Sequence, residues 1–326
     1  MPITAIPSAI SAPITMAEYA KTLPETSRER VFVENMAKTS DLLAAFPMMP
    51  AQNGKKEFMD IGRLPAVGFR NFNAQGNKDT GSFNLREEDT FPIDEFVEVD
   101  RALIDRLGPE HRIKQLELKN IALSQFASQV IVKGDNSATG AKQPNGIQIR
   151  CNTLSTNLFN NSAASGGAAL SLANLDILYW SVNRPTHWLF PRTLMPYLDA
   201  AARNTTLTGQ SLAYDSAPDE FGRRIMRYKG LPILFGYEPD DTPDLLPMTE
   251  VAAGGGAAVT GSIYCISLGD GKFYGIEQTP LDVGDWQRQI GTPFDVAEIK
   301  WDWGIVREHP RAFSRLTSIT AATIVS

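Results

Sequence analysis

Residues 71–90 read NFNAQGNKDTGSFNLREEDT, a polar, glycine-containing run with no helical period. What flanks it decides the fold. A weak strand is expected at 57–70 and a clearer one at 91–99. In the second, Phe91, Ile93, Val97 and Val99 alternate with Asp94, Glu98 and Asp100, and only Glu95 and Phe96 break the alternation. Period two predicts a strand with one apolar face. Together these segments predict a long two-stranded arm with a polar tip. An isolated two-stranded ribbon is marginal in water, so such an arm needs a surface to rest on.

After the arm, Gly108-Pro109-Glu110 opens a helix that runs to Lys133 and stops at Gly134. Proline near the first helical position and an acid in the first turn suit a helix start. Leu116, Leu123 and Val130 recur every seven residues, and Ile113, Ile121, Phe126 and Ile131 widen the stripe. About 25 residues at ~1.5 Å each span ~37 Å, the length of a spine on which other elements lean. Before the arm, residues 15–46 read as helix in two pieces, broken at Pro24 and ended by Pro47 and Pro50. Val31, Val33, Met36, Leu42, Leu43 and Phe46 give the second piece its apolar side. Residues 1–17 carry no charge, but Pro2, Pro7 and Pro13 interrupt them, so they read as an extended arm and not as a targeting signal.

From residue 171 the pattern becomes mixed α/β. Ser171 caps a helix bearing Leu172, Leu175, Leu178 and Tyr179, HWLF at 187–190 is a short strand, and Pro191 starts another helix. Residues 204–218 and 240–261 read as loops on either side of the apolar strand LPILFGYE at 231–238. SIYCIS at 262–267 and KFYGIE at 272–277 flank Gly269-Asp270-Gly271, which predicts a hairpin. Ala297, Ile299, Trp301, Trp303 and Ile305 alternate with Glu298, Lys300 and Asp302 in the cleanest strand of the chain.

Composition narrows function by exclusion. The 326 residues are 43 % hydrophobic, with 31 basic against 37 acidic side chains and a formal net charge of −6. Such a chain has ample apolar content for a core and is no strongly basic nucleic-acid reader. Its two cysteines, Cys151 and Cys265, form no disulfide framework, and His111, His187 and His309 stand outside metal-ligand spacing. GDNSATGAK at 134–142 fails as a phosphate loop. It has five residues between its glycines, no hydroxyl after the lysine, and a helix before it where a strand is needed. Gly254–Gly256 lacks the spaced-glycine fingerprint. No Gly-x-Ser-x-Gly elbow accompanies the histidines. Glu238, Asp240, Asp241 and Asp244 lack calcium-loop spacing and read as a solvated loop, and Glu87-Glu88-Asp89 beside Arg86 reads as a charged face. Trp301 and Trp303 on one strand face read as core in preference to a stacking platform. No catalytic, cofactor or metal site emerges.

Three motifs then stand in a meaningful order: GDNSATGAKQPNGIQIR at 134–150, EFGRRIMRYKGLPILFG at 220–236 and WDWGIVREHPRAFSRLTSI at 301–319. With the arm and the spine helix, they resemble the major capsid proteins of tailed double-stranded DNA bacteriophages, a fold shared with encapsulin shells. The resemblance covers essentially the whole chain. It implies an α+β, Hong Kong 97-type fold: an N-terminal arm (1–50), an extended hairpin or E-loop (51–100), a spine helix with a peripheral domain (101–170, completed by strands within 280–310), and an axial domain with the C-terminal strands (171–326). It also implies a shell of hexamers and pentamers around packaged double-stranded DNA held without sequence specificity. The implied partners are further copies of the chain, a separate scaffolding protein, a portal and a decoration or cement protein, with no membrane. The implied location is the virion, after assembly in the host bacterial cytoplasm. Inter-subunit contacts are expected from the arm, at the Phe69-Arg70 pair, Phe72, Asn73, Lys78, Phe83, Arg86, Glu87 and Glu88. Leu116, Leu123, Val130, Trp301 and Trp303 are expected to hold the fold. No lysine of the arm matches a cross-linking position, so a covalent cross-link is not expected. An encapsulin-type nanocompartment is the alternative shell, and an enzyme is the third class.

Overall fold

The computed structural model describes residues 13–24, 27–137, 142–203, 215–218, 224–237 and 244–325. The N-terminal block is three helices, Met16–Thr22, Arg28–Thr39 and Asp41–Ala45, where two pieces were expected. Hydroxyl caps make the divisions. Thr15 and Glu18 form a capping box, Ser27 Oγ accepts from Arg30 N, and Ser40 Oγ accepts from Leu43 N. Pro47–Pro50 is not only a helix stop. It is a strand, antiparallel to Ile14–Thr15 and parallel to Phe273–Val283.

The central six-stranded sheet runs in the order Ile14–Thr15, Pro47–Pro50, Phe273–Val283, Phe294–Arg307, Gln287–Arg288, with Phe91–Asp100 also paired to Phe294–Arg307. This last pairing corrects the expected arm. The strand at 91–100 lies beside the tryptophan strand, with Ile93 opposite Trp301 and Phe91 opposite Trp303. Its apolar alternation belongs to a sheet with a core on one side, which a free ribbon lacks. The arm is instead Lys55–Arg63 paired with Ser82–Asp89, so the second half of the 71–90 run is strand and the connecting loop is 64–81. Ala297, Ile299, Trp301, Trp303 and Ile305 are buried, and the two indoles stack with centroids 4.7 Å apart at 16°.

The spine helix, Glu110–Lys133, has the expected ends. Its buried side differs from the expected stripe. Leu123, Val130 and Ile131 are buried and Leu116 is half-buried, but Ile113 and Phe126 are exposed while Asn120, Ser124 and Ser128 are buried. The reason is a polar seam. Asn120 Nδ2 donates to Phe32 O (2.9 Å), Ser124 Oγ to Met36 O (3.2 Å), and the Ser40 and Ser128 hydroxyls bond at 2.8 Å. Carbonyls of the Arg28–Thr39 helix are thus satisfied by the helix packed against it.

A second, nine-stranded sheet carries its own core around Trp188, Leu175, Leu178, Leu198 and Ile233, covered by helices Leu172–Ser181 and Met195–Arg203. His187–Leu189 and Leu231–Leu234 are parallel neighbours in it. Three loop readings change here. Asp215–Pro218 is a strand, while 204–214 and the acidic cluster apart from Asp244 lie outside the described residues. Glu250–Val251 and the start of Ala258–Ile266 are also strand. Gly269-Asp270-Gly271 closes no hairpin, because Ala258–Ile266 belongs to the second sheet and Phe273–Val283 to the central one. Both runs are buried along most of their length, so the glycines turn a corner between two sheets. Of the rejected phosphate loop, residues 138–141 lie outside the described residues. Asp135 accepts from Ser137 N and Oγ at 2.8 and 2.6 Å, closing its own turn.

Candidate assembly surfaces

The ribbon's register sorts its side chains into two faces. Successive residues alternate and directly paired residues share a face. One face carries Lys56, Phe58 and Asp60 opposite Glu88, Arg86 and Asn84. It turns toward the body: Phe58 packs with Tyr274, Ile276 and Val306, and Arg150 binds both oxygens of Glu88 at 2.5 and 2.9 Å. The other face carries Met59 and Ile61 opposite Leu85 and Phe83. These four side chains are 73, 61, 67 and 70 % exposed. Four apolar groups in register, uncovered among the described residues, form a continuous apolar face.

The tip is organised by one carboxylate. Asp79 takes Arg63 Nη2 at 2.5 Å and Ala66 N at 2.7 Å, and these two donors, the backbone N–H first, hold its carboxyl below the usual range. Asn77 Nδ2 donates to Ala66 O, and Arg70 Nη1 to Ala74 O. Phe69 and Phe72 stand fully exposed beyond this frame. Asn73, in the left-handed region (φ 62°), and Lys78 are exposed beside them.

The root of the arm is tight. Thr90 N donates to Gly54 O and Gly54 N to Gln278 Oε1, both at 2.9 Å. The Asp89 carbonyl crosses Gly304 so closely that a Cβ there would lie 2.4 Å from it. Of the residues expected at contacts, Phe83 lies on the outward face, and Phe69, Arg70, Phe72, Asn73 and Lys78 lie in the tip. Arg86 pairs with Asp60, Glu88 with Arg150, and Glu87 with Lys55, all within the chain. Met59, Ile61 and Leu85 escaped the sequence reading, although their alternation with Asp60 and Arg86 carries the signal.

Other surfaces are also open. Trp180, 78 % exposed, and Ile177 project from the Leu172–Ser181 helix. A groove of about 360 Å³ between the Arg28–Thr39 and spine helices is lined by Val31, Ile113, Leu116 and Trp286. Burial also sets the state of two chemistry-bearing side chains. Burial holds His187 neutral, with its pKa lowered to about 4, and raises the Cys151 thiol to about 12. Among the described residues no cluster of three His, Cys, Asp or Glu could hold a metal ion, and no helix is long and apolar enough to cross a membrane.

No family model matches the sequence, and no curated protein does. Solved structures do match. The holo-SrpI encapsulin complex from Synechococcus elongatus has 14 % identity and a TM-score of 0.61, over 95 % of this chain and 97 % of that one. The capsid of a native GTA particle has 14 % identity and a TM-score of 0.56, over 84 % and 88 %. A structure from Mycobacterium phage Adephagia has 11 % identity and a TM-score of 0.57, over 95 % and 99 %.

Proposed function

We propose that this chain, which has the Hong Kong 97-type α+β fold, is a major capsid protein. Its copies would form the hexamers and pentamers of an icosahedral phage head around double-stranded DNA. The observation that carries the reading is the outward face of the ribbon, Met59, Ile61, Leu85 and Phe83, held in register on a root fixed to the body. Each of these side chains contributes about 1.5–3 kcal/mol when fully covered, and a neighbouring copy supplies the cover. Repeated around a closed shell, modest contacts of this kind hold one another in place.

In this reading residues 1–50 are the N-terminal arm, 51–100 the segment that carries the extended arm (Lys55–Asp89) and its return strand in the central sheet, 101–170 with strands from 280–310 the peripheral domain, and 171–326 the axial domain. A scaffolding protein, a portal and a decoration protein are the expected partners, the virion is the location, and assembly rather than catalysis is the activity. A net charge of −6 suits a wall that confines DNA without gripping it. The match to an encapsulin supports a nanocompartment shell as the second reading. Electron microscopy of the protein expressed alone and with its neighbouring gene products tests both. Shells of uniform size formed alone around a protein cargo favour the nanocompartment. Shells that need a scaffolding partner favour the phage head. A small discrete oligomer under all conditions overturns both.

A further inference from the structure

The helix Ile147–Thr153 is gripped on two opposite sides. At about 100° per residue, Gln148 and Asn152 share one side and Arg150 lies about 180° from them. The Arg150 side holds the arm and the central sheet. Its guanidinium binds both oxygens of Glu88, Asn145 O at 2.7 Å and Ile305 O at 3.2 Å. The opposite side holds the second sheet. Asn152 Oδ1 accepts from Arg315 Nη1 at 2.8 Å, and Gln148 Nε2 donates to Glu250 Oε1 at 3.5 Å. Arg315, only 6 % exposed, also donates to Ser262 Oγ at 3.0 Å and to Glu250 Oε2 at 2.9 Å. Three strands, Glu250–Val251, Ala258–Ile266 and Phe313–Val325, thus meet at one guanidinium. Ile147 and Cys151, on a third side of the helix, are buried in the main core. The start of the helix sits on the end of the spine helix. Gly146 N donates to Gly134 O at 2.8 Å, and a Cβ on Gly146 would lie 2.7 Å from the Val132 carbonyl.

We propose that this helix is a strut that couples the attachment of the arm to the second sheet. Seven residues make a rod about 10 Å long, which tilts as one piece about its seat on the spine helix. A shift of Glu88 therefore reaches Arg315 through Arg150 and Asn152, and a shift of Arg315 reaches the arm by the same route. Charged, shielded hydrogen bonds at both ends are costly to break, so a displacement is passed on and not absorbed. In a shell the strut lets the second sheet respond when a neighbour covers the arm. That use rests on the shell reading above, whereas the coupling itself belongs to the single chain.

Amide exchange in the soluble subunit tests it. Asn152→Ala removes the grip of the second sheet on the helix and leaves Glu88 and Arg150 in place. It should speed exchange of the arm, residues 55–89, at least about threefold, while the spine helix Glu110–Lys133 keeps its rates. Gln148→Ala, which removes the longer bond on the same side, should act in the same direction to a smaller extent, and it decides the matter if Asn152→Ala does not fold. In a chain that already carries Glu88→Gln, Asn152→Ala should speed the arm by less than it does in the parent, because the arm has partly let go of the strut. Arm rates unchanged by Asn152→Ala overturn the strut. So do effects that multiply independently, and so does a rise that the spine helix shares. Because the measurement needs only the soluble subunit, a failure to form shells overturns the shell reading alone.

Discussion

Arg150 holds Glu88 by two hydrogen bonds, Nη1 to Oε1 at 2.5 Å and Nη2 to Oε2 at 2.9 Å, and so ties the arm to the helix Ile147–Thr153. Both side chains are largely shielded from solvent at this point. Bidentate charge-assisted pairs of this kind are among the stronger polar contacts in proteins. Arg150→Met is expected to cost about 2–4 kcal/mol, because it also strips donors from Asn145 O and Ile305 O. Glu88→Gln keeps the shape and should cost about 1–2 kcal/mol. Chemical denaturation measures both. Faster amide exchange confined to 55–89 would place the loss at the arm.

Gly304→Ala tests the crossing at the root from the backbone side. The added Cβ meets the carbonyl of Asp89, which cannot rotate away as a side chain could. The expected cost is about 1–3 kcal/mol, from overpacking. The first and last residues of the ribbon should shift relative to Phe294–Arg307. An unchanged melting temperature would show that the root has slack.

The outward face of the arm predicts a separation of folding from assembly. Replacing Met59, Ile61, Phe83 and Leu85 together with Ser or Thr removes groups that are already in solvent in the subunit. Each change should alter subunit stability by no more than about 0.5 kcal/mol, while shell formation fails. Circular dichroism and size-exclusion chromatography of the same sample read both quantities. Normal shells from this variant would remove the arm from the assembly mechanism.

Two half-buried groups give opposite pH signatures over nearly the same range. Burial raises the Glu277 carboxyl from 4.5 to about 7, with the Trp301 indole opposing the shift. The folded chain therefore binds that proton more tightly than the unfolded one, and this contribution fades as pH rises from 4.5 to 7. Burial lowers His187 from 6.5 to about 4, so its contribution fades as pH falls from 6.5 to 4. Each shift corresponds to at most about 3–4 kcal/mol. Glu277→Gln should gain stability relative to the parent as pH is raised to 7. His187→Gln should gain relative to the parent as pH is lowered to 4. Denaturation midpoints across pH 4–7.5 check both signs.

Elements with one apolar side against a core were legible in the sequence. The spine helix appears with its expected ends, and the strand Phe294–Arg307 contains the alternation read at 297–305. Partner choice was less legible, because Phe91–Asp100 satisfies the pattern of any half-buried strand and only the tertiary fold assigns it to Trp301 and Trp303 in place of the ribbon. Polar residues misled in the same way. Ser124 and Asn120 read as the solvent side of a helix until carbonyls of another helix are set opposite them. The corner at Gly269–Gly271 carries hairpin residues, and no local feature distinguishes two strands that pair from two that part into different sheets. On the arm, charge drew attention to Arg86 and Glu88, which face inward, and away from Met59, Ile61 and Leu85, which face out.

The central sheet has a consequence for the order of synthesis. Phe91–Asp100 pairs only with Phe294–Arg307, and Pro47–Pro50, with its short partner Ile14–Thr15, joins the sheet only through Phe273–Val283. A ribosome has therefore made more than four-fifths of the chain before either early strand can join the central sheet, and pairings so distant in sequence form late and slowly. The root of the arm, fixed against Gly304, is finished later still. A nascent chain thus carries the apolar ribbon without the frame that aims it. In the shell reading, copies emerging side by side on one message cannot lock together until each is complete.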